Sequence, residues 1–413
     1  MYTLSHYVVG ARHPTIQRCI LLALVVIICV LIIKRPDVIF DVDSEVNTIK
    51  SRRAYTIDDQ TYGEDGTEDA NDYSNCNQEI GKGNSIPVQP QQNSTLQVQG
   101  KTTLKKYPRV VILWTQWRSG STFFGNLLAS AIPNTFYSYE PLLPLGIKIF
   151  RSDDGASQDA FKYFNNLLHC NLYNHAKEIS GLVSLKFYRT YNHFLIENCQ
   201  EKPYMKCAEP STYSNICRKA DMHFVKVLRL GLDWARRLLQ DSSLDIRIIY
   251  LVRDPRPIMQ SRDSISWCEN DCKNVSRVCH HLRLDLLEST KLQKDFPNRF
   301  AQIQYEHLSL KAEDTVRKVW KFLNITPSQK TWNQLKVLTN AGRPSGTFNT
   351  YRHTVDHTFE WRSNMSFGMV KTIQDSCQDV LQMLGFKSFD NTQDLKNMKI
   401  PTFTKEEDIA LLA

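Results

Sequence analysis

A segment rich in glycine and hydroxyl residues follows the short apolar run Val110–Trp114 and suits the binding of a phosphate group. It spans Thr115–Phe124 and has the sequence TQWRSGSTFF. A buried strand that passes through such a turn into a helix directs backbone N–H groups and the positive end of the helix at one point. Arg118 adds a guanidinium, so the chemistry indicated is anion binding; an ordinary turn with a serine N-cap is the alternative. The residues predicted to bind the anion are Thr115, Gln116, Trp117, Arg118, Ser119, Gly120, Ser121 and Thr122.

The residues around two glycines distinguish this segment from the loops of nucleoside triphosphatases. Gly120 and Gly125 have the glycine spacing of the motif G-x-x-x-x-G-K-[ST]. Asn126 stands where that motif has its lysine, and the cation of this segment, Arg118, precedes the first glycine. We therefore predict a phosphate-binding loop without kinase or ATPase chemistry.

A second basic segment follows another apolar run, Ile246–Val252, and has the sequence RDPRPIMQSR. Its density of basic and hydroxyl side chains suits a second phosphate group. The alternative is that Arg253 and Asp254 cap a turn and that the other arginines are solvated. The residues predicted to bind here are Arg253, Asp254, Arg256 and Ser261.

Both segments require the same support, because each begins where a buried strand ends. Further apolar runs at 224–228 and 300–305 are also followed by segments in which apolar residues recur at helical spacing. A last helix is predicted from Val370 to Leu384. Strands that are apolar on both faces and alternate with helices indicate a parallel sheet covered on both sides. The predicted fold class is therefore α/β, with ligands bound beyond the carboxyl ends of the strands.

The net charge of +8 over 413 residues conceals three regions of different character. The uncharged run Cys19–Ile33 is predicted to be an uncleaved transmembrane signal anchor after a short cytoplasmic tail, residues 1–18. A cleaved signal peptide is the alternative, but no small-residue cleavage site follows the run. Residues 34–106 are polar and mostly acidic and are predicted to form a disordered stem. Residues 107–413 are predicted to be the catalytic domain, whose excess of basic residues suits anionic ligands.

Cysteines and glycosylation sequons favour an oxidising compartment for this domain. Nine cysteines lie outside the predicted anchor and none forms a C-x-x-C pair. Disulfides are therefore favoured over a metal site, with the connectivity open and at least one thiol left over. N-glycosylation is predicted at Asn93, Asn274, Asn324 and Asn364. Together these features place the domain on the lumenal side of the membrane.

The two basic segments together resemble the Golgi carbohydrate sulfotransferases that act on the 6-hydroxyl of galactose, N-acetylgalactosamine or N-acetylglucosamine. Trp117–Phe123 is similar to the W-R-S-G-S-S-F segment of that family, with a threonine in place of one serine. Val252–Arg262 is similar to its V-R-D-P-R-A-V-x-x-S-R segment, with two substitutions. Tyr139–Leu142 resembles an aromatic-E-P segment. The resemblance extends over residues 107–385.

The resemblance implies the sulfotransferase fold and 3′-phosphoadenylyl sulfate (PAPS) as the sulfuryl donor. Arg118 and residues 119–122 are then expected to hold the 5′-phosphosulfate, while Arg253 and Ser261 hold the 3′-phosphate. A glycan on a glycoprotein or proteoglycan is the implied acceptor, and a type II protein of the Golgi membrane is the implied topology. We expect neither a metal nor a nucleic acid as partner, and a homodimer is left open.

One carboxylate is the candidate for the base that the acceptor hydroxyl requires. Glu140 follows the aromatic stretch Phe136–Tyr139. In the light of the resemblance it is predicted to be the base, provided that it lies within hydrogen-bond reach of the hydroxyl. From the residues alone, a turn or cap before Pro141 is the alternative. Arg118 is predicted to be catalytic as well, because it would stabilise charge on the leaving phosphate oxygen.

Two other classes of protein share parts of this pattern. A type II Golgi glycosyltransferase would have the anchor, the stem and the sequons, but its Asp-x-Asp motif belongs in the catalytic domain. The motif here, Asp41–Asp43, lies in the predicted stem. A non-catalytic, glycosaminoglycan-binding membrane protein would explain the basic domain but not two anion-binding segments at strand ends. A PAPS-dependent carbohydrate 6-O-sulfotransferase is therefore the predicted function.

Overall fold

The computed structural model describes residues 107–199, 204–340 and 358–404. The predicted tail, anchor and stem and the sequon at Asn93 lie outside these residues and stay predictions. Among the described residues, no helix combines the length and the apolar character needed to cross a membrane.

A parallel sheet of five strands lies at the centre of the described part of the chain. The strands are β1 (Arg109–Thr115), β2 (Thr135–Tyr139), β3 (Met222–Val227), β4 (Ile246–Val252) and β5 (Phe300–Gln304). Their spatial order is β2-β3-β1-β4-β5, so β1 is the middle strand. The interior strands are buried along nearly their whole length, which explains their continuous apolar sequences. The predicted α/β class with a parallel sheet is confirmed.

The edge strand β2 occupies a place where the sequence shows only an aromatic stretch. Its residues pair with β3 in parallel register, with Phe136 opposite His223 and Tyr139 opposite Lys226. The Phe136 ring packs edge-to-face against Tyr213, with 5.2 Å between ring centroids. A run of only five residues with polar members carries a weak strand signal, and contact with β3 makes it a strand.

Helices cover the sheet and complete the domain. They are α1 (Ser121–Ser130), α2 (Ser157–Leu168), α3 (Ala176–Ser184), α4 (Lys186–Tyr191), α5 (His193–Asn198), α6 (Pro210–Lys219), α7 (Ala235–Gln240), α8 (Pro255–Asp263), α9 (Val275–Asp295), α10 (Tyr305–Leu310), α11 (Ala312–Leu323), α12 (Gln329–Asn340), α13 (Trp361–Asn364), α14 (Phe367–Ser376), α15 (Gln378–Met383) and α16 (Thr392–Lys396). Short 3₁₀ turns occur at Leu143–Leu145, Tyr204–Ala208, Leu232–Trp234 and Asn270–Cys272.

The helix predicted from Val370 to Leu384 is divided in two. The helices α14 and α15 meet at Cys377, whose φ of −112° departs from the helical value. The apolar residues predicted to share one face are nevertheless buried. The helical periodicity therefore identified the buried residues correctly but not the break between the two helices.

Two of the four disulfides among the described residues join elements that are distant in the sequence, and two close short loops. The bonds are Cys170–Cys217, Cys199–Cys207, Cys268–Cys272 and Cys279–Cys377. All the cysteines that the structure describes are paired, in agreement with the expectation of disulfides. The bond Cys279–Cys377 connects α9 to the junction of α14 and α15, and so holds the C-terminal helices to the body of the domain.

Replacing Cys279 and Cys377 together by serine is expected to lower the free energy of unfolding substantially. Their bond spans 98 residues, and the chain-entropy account assigns about 4 to 5 kcal/mol to a loop of that size. The matched control is Cys268→Ser with Cys272→Ser, whose bond spans 4 residues and whose loss costs about 2 kcal/mol in the same account. Chemical denaturation of both variants measures the difference, and equal losses would contradict the loop-length argument.

Candidate active site

The two predicted anion-binding segments leave the sheet at the same edge. Strands β1 and β4 are parallel neighbours, and Thr115 at the end of β1 is paired with Leu251 near the end of β4. The residues that follow these strands therefore emerge side by side at the carboxyl edge of the sheet, where ligands of such folds bind.

The backbone of the first segment turns sharply before helix α1. Arg118 has a φ of 69° and Gly120 a φ of 84°, and both values lie in the left-handed region. A Cβ at Gly120 would lie 2.2 Å from Cε2 of Tyr305. The ring of Tyr305 thus occupies the space that a side chain would need. Both backbone conformation and contact require glycine here, and the turn leads directly into the N-terminus of α1, an anion-binding position.

Arg118 connects the two segments. Its Nε donates a hydrogen bond to Oγ of Ser261 at 2.8 Å. Nη1 of Arg253 donates in turn to the carbonyl oxygen of Arg118 at 3.0 Å. The guanidinium of Arg253 also lies over the ring of Tyr305, 4.2 Å from its centroid. Three predicted donor-binding residues, Arg118, Arg253 and Ser261, are therefore brought together.

The side chains at the start of the first segment instead support its base. Oγ1 of Thr115 donates to the carbonyl oxygen of Leu251 at 2.7 Å, which ties β1 to β4. Nε2 of Gln116 donates to Oδ2 of Asp285 at 3.4 Å, towards helix α9. Both side chains are buried. Their contacts attach the start of the first segment to β4 and α9.

The structure does not bring Arg256 to Arg118. Its guanidinium is fully buried and pairs with Asp254, with Nη2 at 2.7 Å from Oδ2. Nη1 donates to the carbonyl oxygen of Lys387 at 2.7 Å, and the guanidinium lies 4.5 Å from the ring centroid of Trp361. Asp254 also caps helix α8 by accepting from the backbone N–H of Arg256. These contacts connect the second segment to the C-terminal helices.

Glu140 lies beside the first segment within a buried network of charges. Its Oε1 is 3.1 Å from Nζ of Lys226, and its Oε2 is 2.8 Å from Nη1 of Arg229. Nζ of Lys226 also donates to Oγ1 of Thr122 at 3.0 Å and lies 3.9 Å from the ring centroid of Tyr139. The predicted base is therefore linked to the anion-binding loop through a lysine.

The charges in this network set the protonation of its members. Burial acts to raise the pKa of Glu140, but the positive charges of Lys226 and Arg229 outweigh it and lower the pKa below its ordinary value. Burial lowers the pKa of Lys226, and Glu140 acts in the opposite direction. The carboxylate is consequently ionised at neutral pH and is a weak proton acceptor.

Lys226 and Arg229 are functional candidates that the motif analysis missed. Lys226 interrupts the strand sequence MHFVKV of β3, and Arg229 follows two residues after that strand. A lysine inside an otherwise apolar, buried strand requires a partner, because lysine is almost never fully buried alone. That anomaly is a signal in the sequence that could have found Lys226, whereas Arg229, beyond the end of the strand, carries no such signal.

Glu306 is a second buried carboxyl at this edge. It follows β5, and its Oε1 accepts a hydrogen bond from the backbone N–H of Asp254 at 3.0 Å. Burial, and then the negative charge of Asp254, raise the pKa of Glu306 to about 7, while Arg253 acts in the opposite direction. Glu306 therefore holds the second segment in place and is partly protonated at neutral pH.

The parallel sheet, the Gly/Ser turn into α1 and the arginines of the second segment define an α/β protein whose sheet edge suits a ligand with more than one anionic group. The match to known proteins agrees with this class. A profile described as "Sulfotransferase family" matches residues 109–329. This is more than half of the chain, and the chain belongs to the sulfotransferase family.

Two proteins that are similar in sequence support the same assignment. Carbohydrate sulfotransferase 3 of Rattus norvegicus is 26% identical over 337 residues, which cover 71% of this chain and 70% of that protein. Carbohydrate sulfotransferase 5 of Mus musculus is 23% identical over 339 residues, covering 70% of this chain and 84% of that protein. The sulfotransferase domain of a Synechococcus olefin synthase has a TM-score of 0.41 and 18% identity, covering 68% of this chain and 96% of that one. The predicted relationship to carbohydrate sulfotransferases is confirmed, and the chain is a sulfotransferase enzyme.

Replacing Glu306 by glutamine is expected to stabilise the protein more at high pH than at low pH. The folded carboxyl has a pKa of about 7 against an ordinary 4.5, so the folded state binds the proton more tightly and loses stability as the pH rises between these values. Glutamine keeps an oxygen that accepts the Asp254 N–H but carries no charge. Thermal unfolding at about pH 5 and about pH 8 measures the effect.

The control for this prediction is Glu313→Gln, which makes the same change at an exposed position of α11. Its melting temperature relative to the unaltered protein should be nearly the same at both pH values. If the change in melting temperature caused by Glu306→Gln were also the same at both pH values, the prediction would be contradicted.

Proposed function

We propose that this chain transfers the sulfuryl group of PAPS to a hydroxyl of a glycan, the 6-hydroxyl of N-acetylglucosamine, galactose or N-acetylgalactosamine. Family membership supports the reaction, and the names of the similar proteins support a carbohydrate acceptor. The 6-hydroxyl and the choice of these sugars are supported by the resemblance of the two basic segments to that subfamily.

One observation carries the choice of donor, which is the hydrogen-bonded contact between the two anion-binding segments. Arg118 of the first segment bonds to Ser261 of the second at 2.8 Å, and Arg253 of the second bonds back to Arg118 at 3.0 Å. PAPS carries two separate anionic groups, a 5′-phosphosulfate and a 3′-phosphate. Two adjacent arginine-bearing segments suit such a donor better than a ligand with one phosphate.

In this proposal the first segment and Lys226 bind the reacting end of the donor. Sulfuryl transfer forms a bond between sulfur and the acceptor oxygen as the bond from sulfur to the phosphate oxygen breaks. Arg118 and the N–H groups at the start of α1 stabilise the charge that develops on the leaving phosphate. Lys226, whose Nζ lies 3.0 Å from Oγ1 of Thr122 in the first segment, stabilises charge on the sulfuryl group while it is transferred. Positioning and charge stabilisation therefore provide most of the catalysis, as in phosphoryl transfer.

We assign the proton of the acceptor hydroxyl to Glu140. The carboxylate is buried and adjoins the loop through Lys226. Its lowered pKa makes it a weak base, which suits a late proton transfer, because the hydroxyl becomes acidic only once its oxygen has begun to bond to sulfur. The proton then resides on Glu140, and the products are the sulfated glycan and adenosine 3′,5′-bisphosphate (PAP).

A Golgi location with a lumenal catalytic domain fits the same reaction. The disulfides among the described residues suit an oxidising compartment. The asparagines of the described sequons, Asn274, Asn324 and Asn364, are exposed to solvent. The anchor at residues 19–33 would hold the enzyme as a type II membrane protein. The acceptor is then a glycan on a glycoprotein or proteoglycan that passes through the same lumen.

Transfer of ³⁵S from labelled PAPS to a panel of defined glycans tests the function. The full chain in detergent should sulfate at least one glycan, with the label at the 6-position. Arg118→Ala should lower both transfer and PAP affinity, the latter by about ten- to a hundredfold, because a charge-assisted hydrogen bond to a phosphate is lost. The matched control is Arg317→Ala, which removes an exposed arginine of α11 and should change neither. A chain that binds no PAP and transfers no label would overturn the proposal.

Glu140→Gln tests the assignment of the base. Loss of a general base lowers turnover by about a hundredfold or more, whereas PAP affinity should change little because the donor-binding residues remain. Glu313→Gln, the same change at an exposed site of α11, should leave turnover unaffected. Single-turnover kinetics with saturating PAPS makes the comparison. Retained turnover in Glu140→Gln would assign the proton to another group.

A further inference from the structure

Arg262 lies next to Ser261 near the end of helix α8, and its guanidinium is buried beneath the first segment. Only 1% of the surface of Arg262 is exposed to solvent. Nε and Nη2 donate to the carbonyl oxygen of Trp117 at 3.3 and 3.0 Å, and Nη1 donates to the carbonyl oxygen of Cys272 at 3.0 Å. The guanidinium is thus engaged by backbone on two sides and enclosed by protein.

These bonds complete the support of an unfavourable backbone conformation. Arg118 has a φ of 69°, which is unfavourable for a non-glycine residue and persists only where the surrounding structure imposes it. Arg262 donates to the carbonyl oxygen of Trp117, the preceding residue, and Arg253 donates to the carbonyl oxygen of Arg118 itself at 3.0 Å. Ser261 holds its side chain. Both peptide groups that flank Arg118, and its side chain, are therefore held by the second segment.

A disulfide supports Arg262 from the other side. Cys272, whose carbonyl accepts from Arg262, is bonded to Cys268. Trp117 and Trp267 pack with these cysteines in one buried apolar cluster. The disulfide and the cluster consequently hold the carbonyl of Cys272 in place, and Arg262 connects this carbonyl to the first segment.

The charge of Arg262 lacks the compensation that a neighbouring buried arginine has. Arg256 in the same helix pairs with Asp254 at 2.7 Å. In the described part of the chain Arg262 bonds to carbonyl oxygens, and no carboxylate pairs with it. Burial, and then the charge of Arg118, lower its pKa to about 9. The free energy of burying such a cation becomes less unfavourable when an anion binds nearby.

We propose that Arg262 is a positioning residue for the donor: it fixes the peptide group between Trp117 and Arg118, and thereby the orientation in which the first segment meets the phosphosulfate. This inference rests on the proposed function, because it concerns the same donor site. Arg262 itself does not contact the donor and acts through Trp117 and Arg118.

The test is Arg262→Lys in the full chain, with PAP binding measured by calorimetry below the melting temperature. Lysine keeps a charge but cannot bond to Trp117 and Cys272 at once. PAP affinity should fall by at least about tenfold, as expected for lost bonds from a charged group. The KM for PAPS should rise by a similar factor while the KM for the glycan stays unchanged, a split that general destabilisation would not produce.

Arg362→Lys is the matched control. Arg362 is equally buried, and its nitrogens donate to the carbonyl oxygens of Leu395, Ile400 and Asn397 in the C-terminal region. Its substitution should lower the melting temperature but leave PAP affinity unchanged. Full PAP affinity in folded Arg262→Lys overturns the inference while the proposed function stands. Absence of PAP binding in the unaltered chain overturns both.

A second variant decides the question if Arg262→Lys does not fold. Cys268→Ser with Cys272→Ser keeps Arg262 but removes the disulfide that holds its carbonyl partner at position 272 in place. We expect a loss of PAP affinity of about threefold or more, because a weakened bond transmits part of the effect. An affinity equal to that of the unaltered chain would overturn the inference in that case.

Discussion

Positive charge is buried at the carboxyl edge of the sheet in excess of the negative charge that could balance it. Lys226, Arg229, Arg253 and Arg262 are each less than a tenth exposed. Glu140 pairs with the first two of them, and Glu306, the second buried carboxyl at this edge, has a pKa raised to about 7 and is only partly ionised at neutral pH. Removing cations from water is unfavourable unless an anion compensates them. The folded chain therefore already contains the field that attracts a ligand with several negative charges, and binding of that ligand relieves an unfavourable arrangement.

The elements around the site serve to hold these charges still. Lys226 lies on β3, inside the sheet, and Arg262 lies on α8 between two backbone carbonyls. Side chains mounted on strands and helices are placed more accurately than side chains on free loops. Such groups do not have to reorient as charge develops, and this preorganisation is the main source of electrostatic catalysis. The first segment, although a turn, gains comparable rigidity from the arginines that hold its carbonyls.

The outline of this arrangement is accessible from the sequence, because apolar runs followed by Gly/Ser or Arg/Pro turns indicate strands that deliver loops to one edge. The direction in which a side chain points is not accessible in the same way. Arg256 and Arg262 have the same residue type in the same helix, yet one connects to the C-terminal helices and the other to the first segment. The edge strand β2 escaped prediction because its pairing with β3 is a tertiary contact. Lys226 was visible as a lysine within an apolar strand, but its partners Glu140 and Thr122 come from other elements.

The anchoring of Arg256 bears on how the protein is made. Its guanidinium is held by the carbonyl of Lys387, 131 residues later in the chain, and lies against Trp361. A ribosome delivers β4 and α8 before these partners, and a domain generally folds as a unit. The second segment consequently acquires this support only after Trp361 and Lys387 have been synthesised, and the bond between Cys279 and Cys377 likewise requires the later part of the domain. A chain that stops before Lys387 would therefore lack a contact that holds Arg256, and with it part of the support of the second segment.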